Sequence, residues 1–140
     1  MQLVLITLVV LMIDQGVKLL VRHSRFDSVR LGPFGSLRQV PGRLWLHRLT
    51  VHQPKALWLW AVCACVLVVA GTAIPSLLVF VGVLLGGSLS NMVESSLRGS
   101  VTDYVCLRFW PAFNLADVAL AVGAFGIGIE LLRAIGEVRG

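Results

Sequence analysis

Four runs of about 20 predominantly apolar residues, at 3–21, 56–73, 76–92 and 115–132, take up about half of this 140-residue chain. At a rise of about 1.5 Å per residue, each run is about long enough as a helix to cross a hydrocarbon core of about 30 Å. Charged residues make up only 14% of the sequence and hydrophobic ones 57%, against about a quarter charged in ordinary soluble domains. The expected fold is therefore an all-α membrane protein of four transmembrane helices, forming a single integral membrane domain over residues 1–140. Twelve basic residues against seven acidic ones suit lipid headgroups and membrane topology, so membrane lipids are the expected contacts and no nucleic acid is expected.

The first run lacks the basic leading segment and small-residue cleavage site of a secretory signal. Asp14 and Lys18 also interrupt it, so it is expected to remain as a helix. Cys63 and Cys65 lie inside an apolar run with no second ligand pair at metal spacing. They are read as small buried hydrophobes, and no metal is expected.

Four spans place both termini on one side. Gly71 to Pro75 forces a tight hairpin between the second and third runs, so the other two connections share the opposite face. The connection 22–55 carries turn signals at Gly32-Pro33, Gly35 and Pro41-Gly42 around short alternating stretches such as 44–49. It is expected to form a small β-structured surface flap between helices 1 and 2. Trp45, Trp58, Trp60 and Trp110 fall near span ends or on loops, where indole rings favour the headgroup region. Gly82 and Gly86 form a small-xxx-small pair that lets the third helix approach a neighbour closely. His23, His47 and His52 have no ligand spacing and suit surface positions, and Glu130 and Glu137 read as ordinary acids of the last helix.

The candidate chemistry lies in the second connection and just beyond it. Asp103 and Asp117 sit at the membrane edge on the same side, one before and one just inside the fourth helix. Two carboxylates a few ångströms apart share one proton. The ionised one can then deprotonate a water while the protonated one polarises a peptide carbonyl. The same residues admit a purely structural account: Asn114 and Asp117 have the spacing of a capping box, and Asp103 could be a solvated loop acid. Asp14 and Lys18, spaced i, i+4, neutralise one another within a helix or support the site directly, and Asn91 could bond a carboxylate, the substrate backbone or only another helix.

Four ordered segments bear on that choice: Asp14-Gln15-x-x-Lys18, Gly86-Gly87-Ser88-Leu89-Ser90-Asn91, Gly99-Ser100-Val101-Thr102-Asp103-Tyr104, and Trp110-Pro111-Ala112-Phe113-Asn114-Leu115-Ala116-Asp117 with Gly123 beyond it. Together they resemble the lipoprotein signal peptidases over most of the chain. The resemblance implies a cofactor-free aspartyl endopeptidase that cuts prolipoprotein signal peptides before the lipid-modified cysteine. Asp103 and Asp117 match its catalytic aspartates, with Asn91, Asn114, Asp14 and Lys18 as supporting candidates. It also implies a multi-pass protein of the bacterial inner membrane with the site facing the outer side, prolipoprotein as substrate partner, and no particular oligomeric state. The positive-inside rule points the other way, because nine basic residues lie on the two long connections against Arg133 and Arg139 opposite.

Two departures from the family pattern stand out. Glu94-Ser95 replaces an Asp-Arg pair, with Arg98 one turn away as a candidate replacement for the arginine, and Gln53-Pro54-Lys55-Ala56 matches an Asn-x-Gly-Ala segment only loosely. These departures favour, as an alternative, a paralogue that binds lipidated peptides without cutting them; further off stands a small four-span transporter using membrane carboxylates such as Asp14 as proton carriers.

Overall fold

The computed structural model describes residues 1–23, 29–30, 35–41 and 54–139. The apolar runs form four helices: α1 (Gln2–His23), α2 (Pro54–Ala73), α3 (Leu77–Arg98) and α4 (Leu115–Arg139). Among the described residues, α1, α3 and Leu115–Glu137 of α4 are long and apolar enough to cross a membrane, whereas Trp58–Ala73 of α2 is a shorter apolar stretch. The hairpin expected at Gly71 to Pro75 is present. Ile74 N–H donates to Ala70 O at 2.9 Å as α2 ends, and Leu77 N–H donates to Ile74 O at 3.0 Å as α3 begins.

Helix α3 runs between α1 and α4, and small residues set its distance from both. A methyl group on Gly86 would come 2.7 Å from Val10 Cβ and 2.8 Å from Thr7 O, and one on Gly87 would meet Ala116 O at 2.6 Å. The expected close approach of the third helix is thus realised, with α1 as the neighbour that Gly86 meets. Leu77, Val81 and Leu85 form the buried core, covered in part by Trp60, Ala64, Leu67 and Val68 of α2. Gly86→Val is expected to force α1 away from α3 and lower stability by about 1–3 kcal/mol. Thermal unfolding in detergent checks this against Gly128→Val, where a Cβ meets nothing within 4 Å.

Two expectations about side chains are corrected here. Cys63 and Cys65 are exposed on the protein surface, because α2 packs chiefly on α3 and leaves its remaining faces uncovered. Trp60 turns inward, and its indole N–H donates to Ser88 Oγ at 3.2 Å. Trp58 and Trp110 are exposed, while Trp45 lies outside the described residues.

The β structure is larger than a flap between the first two helices. Strands β1 (Val29–Arg30), β2 (Gly35–Pro41), β3 (Thr102–Leu107) and β4 (Trp110–Phe113) form one antiparallel sheet in that order. The two long connections therefore build a single sheet, in which Asp103 of β3 is paired with Val40 of β2 and Thr102 with Pro41. The alternating stretch 44–49 lies outside the described residues, as do His47, His52 and Gln53. Helix α3 also runs to Arg98, past the expected end near residue 92, which puts Glu94 on the helix. Gly99 stops it with φ 72° and donates its N–H to Ser95 O at 2.9 Å; this left-handed cap turns the chain into β3.

Candidate active site

The start of α4 organises the site. The first N–H groups of a helix have no intrahelical acceptor and must find one elsewhere. Leu115 N–H donates to the Tyr104 hydroxyl at 3.0 Å, Ala116 N–H to Asp14 Oδ1 at 2.9 Å, and Asp117 N–H to Asn114 Oδ1 at 3.0 Å. Strand β3, helix α1 and the helix's own cap thus each satisfy one donor. The Asp117 side chain closes the capping box by accepting from Asn114 N–H through Oδ2 at 3.1 Å. The structural account of Asn114 and Asp117 is therefore correct, and it coexists with a second set of contacts.

Those contacts tie the two aspartates together. Asn114 is fully buried, and its Nδ2 donates to Asp103 Oδ1 at 2.8 Å while its Oδ1 holds the backbone of Asp117. Asp117 Oδ1 also accepts from Asn91 Nδ2 at 2.9 Å. Asp103 is 9% exposed and sits on a strand, so the solvated-loop alternative does not hold. Burial, and then the charge of Asp117, push the Asp103 carboxyl up to about 6 from an ordinary 3.8, against the opposing hydrogen bond from Asn114. Burial likewise pushes the Tyr104 hydroxyl up to about 12, which keeps it neutral as the acceptor of Leu115 N–H.

A buried ionic cluster supports the pair from the α1 side. Lys18 and Asp14 are fully buried and lie 2.7 Å apart at Nζ and Oδ2. An ammonium has three N–H donors, and Lys18 faces three acceptors: Asp14, Asn91 Oδ1 at 2.8 Å and Glu94 Oε2 at 3.0 Å. Asp14 is saturated in turn by Ser90 Oγ–H at 2.6 Å and Ala116 N–H. Because Lys18 holds the Asn91 carbonyl oxygen, the amide's NH2 end is directed at Asp117. Asp14 and Lys18 thus act both as a neutralising pair and as part of the scaffold beneath the aspartates.

All six candidate residues therefore fall in one connected network. Sequence reasoning missed Thr102, Tyr104, Ser90 and Arg22, and it treated Glu94 only as a departure. Glu94 is buried and accepts from Thr102 Oγ1–H at 2.6 Å. The guanidinium beside it is Arg22 Nη2 at 3.0 Å, whereas Arg98, the candidate replacement, is exposed. The signal for this was available: Asp14, Lys18 and Arg22 recur every four residues and line one face of α1. Of the other polar residues, exposed His23 contacts Leu19 O through Nδ1 at 3.1 Å, Glu130 pairs with Arg133 at 2.7 Å, and Glu137 is exposed.

The polar interior of this helical membrane protein thus converges on two carboxylates, Asp103 and Asp117, joined through Asn114 where sheet meets helix. The family model described as signal peptidase (SPase) II matches residues 6–133. The chain belongs to the signal peptidase II family. It is 30% identical to the lipoprotein signal peptidase of Nitratidesulfovibrio vulgaris, with 94% of this chain and 90% of that protein covered. The lipoprotein signal peptidase of Moorella thermoacetica is 29% identical, with 98% and 97% covered. Two solved bacterial membrane enzyme structures share the fold at 22% identity. Their TM-scores are 0.69 and 0.71, over 93% and 96% of this chain and 92% and 90% of theirs.

Proposed function

We propose that this chain is an aspartyl endopeptidase that cuts signal peptides from diacylglyceryl-modified prolipoproteins, with Asp103 and Asp117 as its catalytic pair. The observation that carries this reading is the Asn114 side chain, which bonds Asp103 through Nδ2 and Asp117 N–H through Oδ1. Asp117, in the first turn of α4 where the helix end favours negative charge, accepts from Asn91 Nδ2 of α3 and from Asn114 N–H. Asp103, raised to about 6, is the partner that holds the shared proton.

Asp117 takes a proton from water as the water oxygen attacks the scissile carbonyl carbon, and Asp103 gives its proton to the carbonyl oxygen. The resulting tetrahedral diol collapses with cleavage of the C–N bond. A proton passes from Asp117 to the leaving amine, and Asp103 recovers its own from the diol hydroxyl. This cycle returns both carboxyls to their starting states.

In the same reading the chain is a single integral membrane domain with four spans in the bacterial inner membrane, its site facing the outer side. Substrate enters from lipid beneath the sheet built by both connections. The non-cutting paralogue was suggested by Glu94-Ser95. The burial of Glu94 among Lys18, Arg22 and Thr102 supports the cutting enzyme instead.

Purified detergent-solubilised protein incubated with a diacylglyceryl-modified precursor is expected to release a product that begins at the modified cysteine, and to leave the unmodified precursor intact. Lipid-modified precursors of several sequences surviving intact beside well-folded protein would turn the assignment to lipopeptide binding.

A further inference from the structure

The buried Arg22–Glu94 pair has no part in the proton transfers above, yet it adjoins the strand that carries Asp103. Glu94 lies on α3 with its side chain fully buried, and Oε1 is the shared point of the cluster. Thr102 Oγ1–H donates to it at 2.6 Å, and Arg22 Nη2 lies 3.0 Å away. Thr102 is itself buried, immediately precedes Asp103, and offers its backbone carbonyl to Asn114 Nδ2 at 3.4 Å. Arg22 is fixed from below, since its Nε–H donates to Lys18 O at 3.0 Å. Ser95, next to Glu94, is buried but carries no charge, so the guanidinium in this cluster comes from the neighbouring helix.

We propose that Arg22 and Glu94 are positioning residues for the dyad: Glu94 holds Thr102, and through it fixes the placement of Asp103 against Asn114, while Arg22 supplies the charge that lets Glu94 stay ionised in that place. The inference rests on the reading of Asp103 as catalytic. A carboxylate with a long reach suits the role, because it must contact Thr102 of β3 and both Lys18 and Arg22 of α1 at once. Displacing a reacting group by about 1 Å lowers a rate by about a hundredfold.

Removing charge at Glu94 also alters the field at Asp103. Among the described residues, the charged and titratable groups that act on that carboxyl are Lys18 from α1, Glu94 from α3, Tyr104 from β3 and Asp117 from α4, with Asp14 and Arg22 of α1 paired in turn to Lys18 and Glu94. Among these, the negative charges of Asp117 and Glu94 raise the Asp103 carboxyl and Lys18 lowers it.

The test is single-turnover cleavage of a diacylglyceryl-modified precursor between pH 4 and 8 by wild type, Glu94→Leu, Glu94→Gln, Arg22→Met and the double variant Arg22→Met/Glu94→Gln, with thermal unfolding run on each. Glu94→Leu, which loses the acceptor, is expected to lower the cleavage rate about a hundredfold with little change in the substrate concentration for half-saturation. Glu94→Gln keeps an acceptor for Thr102 and is expected to lose less, with its alkaline limb moved to lower pH than in wild type. The double variant restores charge balance and is expected to cleave faster than Arg22→Met alone.

Full cleavage rates and an unmoved limb in every variant would overturn the positioning role. So would losses that follow only the folded fraction, or a double variant as impaired as independent effects predict. Absence of cleavage by well-folded wild type is a different result, which removes the endopeptidase reading itself.

Discussion

Lys18→Met is expected to lower the unfolding free energy by about 3–5 kcal/mol, the usual consequence of removing one partner from a buried ionic cluster. The substitution leaves Asp14 without its counter-ion and takes from Glu94 one of its two cationic neighbours, both carboxylates being buried. It also frees the Asn91 carbonyl oxygen, so the amide is no longer held with its NH2 end toward Asp117. Thermal unfolding in detergent measures the first effect, and cleavage per folded molecule the second. The pair at Glu130 and Arg133 is the contrasting case. It is equally short at 2.7 Å, but Arg133 is 69% exposed, so Arg133→Ala is expected to change stability by only about 0–1 kcal/mol.

Asp103→Asn is expected to lose about 10²–10⁴-fold in cleavage rate and at the same time to make the protein more stable at neutral pH. The sign follows from the raised carboxyl. Between about 4 and 6 the folded protein holds a proton that the unfolded chain releases, so stability falls as pH rises through that interval. Above it, wild type carries a desolvated charge near Asp117 that asparagine lacks. The shift from 3.8 to about 6 corresponds to about 3 kcal/mol at most. Asparagine keeps an oxygen to accept from Asn114 Nδ2, so the hydrogen bond survives. The gain should therefore be present at pH 7 and vanish below about pH 4, where both side chains are neutral. Equal unfolding temperatures for wild type and variant across that range would contradict a raised carboxyl at residue 103. Stability given up at a working carboxylate is the expected trade between activity and fold.

Much of this arrangement was legible in the sequence because it is local. Apolar run length located the helices, Gly71 and Pro75 marked the hairpin, and the spacing of Asn114 and Asp117 marked a cap that the structure contains. The i, i+4 spacing of Asp14 and Lys18 likewise gave their pairing. The sheet was only half legible. Its central pairing joins Gly35–Pro41 to Thr102–Leu107 across two intervening helices, and no local pattern encodes such a partner. Glu94 was misplaced for a related reason: the segment after Met92 is too polar to read as a continued span, yet the helix persists until Gly99 ends it. Helix burial was misjudged at Cys63 and Cys65, since apolarity in a membrane protein does not distinguish a core-facing residue from one facing outward.

Single-turnover cleavage of a diacylglyceryl-modified precursor by wild type, Asp103→Asn and Asp117→Asn, each verified as folded, tests the aspartate pair most directly. Cleavage before the modified cysteine by wild type, with a loss of about 10²–10⁴-fold in both variants, is the result this account predicts. Either variant cutting within a few-fold of wild type would contradict it.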